Sequence, residues 1–111
     1  MIFELRIYTM FPMKWDAIND RFSSHTLNIF KRLGLKVIDF WESLEDQPKL
    51  YYVMEYENME ERKLKWELFS NDPEWKEVRS KSEETGPIVE KVETVFMKRS
   101  DYFKYQELPN H

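Results

Sequence analysis

The sequence predicts an α+β domain of the ferredoxin-like βαββαβ type, a four-stranded antiparallel sheet with helices on one face. Three observations lead there. The hydrophobic period switches between two and about 3.6 residues in the order strand, helix, strand, strand, helix pair, strand. Only Glu45-Asp46-Gln47-Pro48 joins the second and third extended segments, and so short a connection favours a hairpin and antiparallel pairing. The 111 residues include 8 Phe, 4 Trp and 6 Tyr, more aromatic surface than a small monomer easily hides, which points to a ligand pocket or to a second copy of the chain.

Each element has its own local signal. In Ile2 to Met10, Phe3, Leu5 and Ile7 fall on one face and Glu4, Arg6 and Tyr8 on the other, the pattern of a strand with one apolar side. Pro12 closes it. From Lys14 the spacing of Trp15, Ile18, Phe22, Ile29 and Leu33 marks one stripe of a continuous helix, ended by Gly34. Leu35 to about Ser43 and Lys49 to Glu57 form the hairpin. Asn58 followed by Glu61 reads as a capping box, and the helix beyond it carries Met59, Trp66 and Phe69 on one face, with Glu61 and Lys65 spaced for an ion pair. Asn71-Asp72-Pro73 interrupts that helix and starts another, since Asp72 can cap and Pro73 suits the first helical turn. In this second helix Trp75, Val78 and Ser82 point inward, and Gly86-Pro87 ends it. Ile88 to Arg99 is the last strand. Residues 100–111 form a polar tail that keeps Tyr102, Phe103 and Tyr105.

Composition narrows the function classes. The length suits one domain spanning residues 1–111. Its 17 basic and 21 acidic residues, net charge −4, are scattered, which argues against nucleic acid, whose phosphate backbone wants a clustered basic face. There is no cysteine, hence no disulfide, thiolate or Cys-based metal chemistry, as expected of a cytoplasmic protein. Met1 to Met10 do not read as a signal peptide, and the longest apolar run, Leu50 to Met54, is too short to span a membrane.

With helices on one side, the alternation in the first strand leaves the face bearing Glu4, Arg6 and Tyr8 uncovered. Such a face is too aromatic to stay wet, so the expectation is a homodimer in which an isologous two-fold interface buries it, with Glu4 and Arg6 as a polar cluster setting the register of the two copies.

Several short motifs together resemble the NIPSNAP family across nearly the whole chain: Glu4-Leu5-Arg6-Ile7-Tyr8, His25-Thr26-Leu27, Asp72-Pro73-Glu74-Trp75 with Arg79, and Gly86-Pro87. The resemblance implies a dimeric α+β barrel, two ferredoxin-like sheets closed face to face. It implies little about chemistry, because the family's biochemical role is largely undefined.

Candidate site residues follow from position. His25, the one internal histidine, falls three residues after Phe22 on the apolar stripe, where it would act as an acid–base group or an axial ligand to haem, or else hydrogen-bond within the core. Tyr8, Trp41, Tyr52, Trp66 and Trp75 would line a pocket for a small apolar or aromatic molecule between helices and sheet, with plain core packing the alternative for any one of them. Arg79 would anchor a carboxylate or, the favoured reading, pair with Glu83. A single internal His gives no metal site, and with only Gly34 and Gly86 there is no phosphate loop. No cofactor is expected. The functional expectation is a binder of a small molecule, with a cofactor-independent monooxygenase or isomerase, or a non-enzymatic dimeric interaction module, as alternatives.

Overall fold

A computed structural model describes residues 1–103. Its elements follow the predicted order: β1 (Ile2–Met10), α1 (Trp15–Arg21), a π-helical turn (Phe22–Thr26), α2 (Leu27–Leu33), β2 (Lys36–Glu42), β3 (Lys49–Tyr56), α3 (Met59–Asn71), α4 (Pro73–Ser82) and β4 (Val89–Met97). The sheet runs β2-β3-β1-β4 with every neighbour antiparallel, the ferredoxin-like order. Tyr105 and the rest of the expected tail beyond residue 103 lie outside the described residues. No helix among the described residues is long and apolar enough to cross a membrane.

The local signals build these elements as expected, with small adjustments. Gly34 ends α2 in the left-handed region at φ 78°. There the Gly34 and Leu35 amides donate back to the carbonyls of Lys31 and Phe30, at 3.2 and 2.8 Å. Asn58 Oδ1 accepts from the Glu61 amide at 2.9 Å, and Glu61 returns a carboxylate to the amide of Glu57, one residue earlier than a capping box requires. Asp72 ends α3 and caps α4, accepting from the Trp75 amide at 3.1 Å, with Pro73 in the first turn.

The first helix is not continuous. Between α1 and α2 the backbone takes one π turn, and the Thr26 hydroxyl donates to the Arg21 carbonyl at 3.1 Å, five residues back. Such a turn accommodates an extra residue and rotates everything after it. The buried positions become Ile18, Arg21, Phe22, Thr26, Ile29 and Phe30. His25 drops out of the stripe and is exposed.

The larger correction concerns the two faces of β1. Burial alternates along β3, with Leu50, Tyr52, Met54 and Tyr56 packed under the helices, and their partners on β1 are Tyr8, Arg6, Glu4 and Ile2. The charged face of β1 is therefore the helix-covered one. Leu5 and Ile7 face the other way, with Tyr51 and Val53 beside them. That open face also carries Trp41, which pairs with Tyr51, and Val95, which pairs with Leu5; they are 50% and 46% exposed.

Candidate functional site

Glu4 is completely buried, which a carboxylate tolerates only when it is fully paired. Its partners arrive from two directions. Arg6, two residues along β1, donates from Nη1 at 2.9 Å, and Arg62 on α3 binds with Nε and Nη2 at 3.0 and 2.9 Å. This network explains why β1 turns its polar side inward: the helices supply both the ion partner and the indole of Trp66, over whose ring the Arg6 guanidinium lies at 4.1 Å.

Arg6 also ties together two phenols. Its Nε donates to the Tyr52 hydroxyl at 2.8 Å and Nη2 to the Tyr8 hydroxyl at 3.4 Å, while the two hydroxyls lie 2.8 Å apart. Burial works to lower the Arg6 pKa, but the oxygens of Tyr52, Tyr8 and Glu4 outweigh it and hold the group above the ordinary arginine value. Burial, with the neighbouring Tyr8, pushes the Tyr52 phenol well up, so it remains a neutral donor and acceptor.

Next to this network lies a cavity of about 250 Å³, with Arg6, Tyr8, Trp66, Trp75, Arg79 and Val92 among its lining residues. Trp75 is held by stacking on Phe69, ring centres 4.6 Å apart. Arg21 and Glu83 complete the lining. The Arg21 side chain is 7% exposed, donates from Nη1 to Ser82 Oγ and Glu83 Oε2 at 3.2 and 3.3 Å, and keeps its Nε buried without a hydrogen-bond partner among the described residues. Burial lowers its pKa, against the pull of Glu83. The same Glu83 oxygen accepts from Arg79 Nε at 3.1 Å, the ion pair expected from the spacing.

The structure thus brings together Tyr8, Trp66, Trp75 and Arg79, with Tyr52 directly behind Tyr8. It separates two others. Trp41 sits on the open face of the sheet, because the irregular pairing between Val37 and Asp39 sets Phe40, not Trp41, opposite Tyr52. His25, displaced by the π turn, lines a second cleft with Asp20, Arg21, Glu74, Glu77 and Lys81 and is not among the residues lining the cavity, although Arg21 borders both. Glu4 and Arg6, expected at a subunit interface, lie beneath the helices instead. Arg21, Arg62 and Glu83 were missed as site residues. Arg21 had a readable signal: a cation three residues after Ile18, on the inner side of the helix.

A family model described as NIPSNAP matches residues 3–103. Among solved structures, the chain is similar to an uncharacterized NIPSNAP domain protein from Burkholderia xenovorans, at 18% identity over 94% of this chain and 99% of that one, with a TM-score of 0.80. A NIPSNAP family protein from Agrobacterium tumefaciens is 15% identical over 91% of this chain and 94% of its own, TM-score 0.80. A dimeric ferredoxin-like protein from an uncultured marine organism matches at 16% identity over 92% and 99% of the two chains, TM-score 0.59. At these identities the likeness is one of fold. Among curated proteins, none matches the chain in sequence.

Proposed function

Since the chain belongs to the NIPSNAP family, whose biochemical role is undefined, we propose that it binds a small aromatic or apolar molecule in the cavity between helices and sheet. One observation carries the reading: Tyr8 from β1, Trp66 from α3, and Trp75 and Arg79 from α4 converge on a single cavity. Concave sites lined by aromatic groups with a few oriented polar atoms are where small ligands bind. At about 250 Å³ the space lies below the ~300–1,000 Å³ usual for drug-sized ligands, so the ligand is no larger than a one- or two-ring compound. The test is titration of the tryptophan fluorescence with one-ring aromatic probes, alongside native mass spectrometry of freshly purified protein. Saturable quenching in the wild type, abolished by Val92→Trp at the half-exposed side of the cavity, is the expected result; no saturable response to any probe at millimolar concentration sinks the proposal.

A second reading, proton transfer on a bound ligand, is favoured by the hydrogen-bonded Tyr8, Tyr52 and Arg6. Tyr8 lines the cavity and takes the acid–base role earlier expected of His25. Its test is exchange of the α-hydrogens of an aryl ketone with deuterated solvent, present in the wild type and lost in Tyr8→Phe.

The open sheet face supports a homodimer. Trp41 and Val95 are exposed there beside half-buried Leu5, Ile7, Tyr51 and Val53, an apolar centre flanked by Asp39 and Glu93. An isologous two-fold contact would cover it, and one of the similar structures is described as dimeric.

A further inference from the structure

Charge around the cavity is unbalanced. Arg6, Arg21 and Arg79 line the cavity, Arg62 shares Glu4 with Arg6, and among the described residues these four are tied to two carboxylates, Glu4 and Glu83, each shared between two guanidiniums. The chain as a whole carries a net charge of −4, so this positive excess is local. It is also poorly met. Among the described residues Arg21 engages Glu83 and Ser82 through one nitrogen, at 3.3 and 3.2 Å, beyond the ~2.7–2.9 Å of a charge-assisted bond, and its Nε has no acceptor there. A side chain 7% exposed is a costly place for unmet donors of a cation.

Taking the cavity as a ligand pocket, as the preceding reading does, we propose that its ligand is an anion: a carboxylate on a small aromatic body, the carboxylate taken by Arg21 and Arg79 and the ring lying against Trp66 and Trp75. The planar fork of arginine matches a carboxylate in two-point contact. Both cations stand at the same end of the cavity, joined through Glu83, and Trp75 lies next to them, with Arg21 5.3 Å from its ring centre. A phosphate group is the weaker fit, because the lining offers side-chain cations and aromatic rings without a glycine-rich loop of backbone amides.

The experiment compares phenylacetate with the neutral, nearly isosteric phenylacetamide by calorimetry on the full chain at fixed ionic strength, with inorganic phosphate as competitor. Phenylacetate binds about tenfold or more tightly than the amide, the size of effect a charge-assisted contact gives. Arg79→Met, a change at a 64% exposed side chain, removes that preference by freeing Glu83 to neutralise Arg21, so that acid and amide bind alike. Lys81→Met, which deletes the same charge from the same helix away from the cavity, changes neither ligand. Equal binding of acid and amide, or displacement of the acid by phosphate at similar concentration, overturns the carboxylate assignment and leaves the pocket standing. If neither probe binds, both readings fall.

Discussion

The hydroxyl groups of Tyr8 and Tyr52 lie 2.8 Å apart, one on the lining of the cavity and the other fully buried behind it. Arg6 donates to both, so the three side chains form a continuous polar path from core to cavity. The path has a measurable signature. Replacing Tyr52 with Phe leaves Arg6 Nε without its acceptor, and stability at pH 7 should fall by about 1–3 kcal/mol. Burial raises the Tyr52 pKa above the unfolded value of about 10, so the native state resists ionisation of this phenol. Its share of stability is whole below pH ~10 and lost as pH rises toward the folded pKa. Urea unfolding of wild type and Tyr52→Phe at pH 7 and above pH 10 should show the gap narrowing in alkali; a constant gap counts against the assignment.

Glu4 holds two guanidiniums at once. Glu4→Gln keeps the shape and removes the charge, stranding Arg6 and Arg62 in a partly desolvated site, and should cost about 3–5 kcal/mol. Glu74→Gln, at an exposed pair with Arg32, should change stability by less than about 1 kcal/mol. Equilibrium denaturation of both variants separates the two environments.

For the π turn, adjacent residues carry opposite expectations. His25→Ala, at an exposed side chain, should leave stability within about 0.5 kcal/mol and phenylacetate affinity unchanged. Thr26→Val removes the hydroxyl that donates to the Arg21 carbonyl and should cost about 1 kcal/mol. The reverse ranking would place His25, not Thr26, on the inner stripe.

Leu5→Lys places a charge in the centre of the open face, between Val53 and Val95. Sedimentation at micromolar concentration should show the wild type as a dimer and the variant as a monomer with unchanged far-UV circular dichroism. A wild type already monomeric there would refute the dimer.

What could be read from the sequence was whatever depended on neighbours in the chain. The caps at Asn58 and Asp72, the Gly34 stop, the hairpin and the Arg79–Glu83 pair are all set by residues a few positions apart, where spacing is geometry. The orientation of β1 was not of that kind. Alternation shows that a strand has two unlike faces without saying which one the helices cover, and the answer depends on Arg62 and Trp66, far along the chain. Two irregularities displaced two of the expected site residues. One extra residue in the π turn exchanged His25 for Thr26, and the irregular pairing of β2 exchanged Trp41 for Phe40. Periodicity assumes uniform elements, so each local fault moved the residue beside it, while Ile29, seven positions after Phe22, stayed on the inner stripe.

On β1, even-numbered Glu4, Arg6 and Tyr8 serve the cavity and odd-numbered Leu5 and Ile7 the open face. Inserting or deleting a single residue within this central strand would exchange the two sets at once, sending Leu5 under Arg62 and a carboxylate into the apolar surface. Point substitutions can therefore alter the cavity side and the open side of β1 independently, whereas a change in the length of this strand disturbs both in one step.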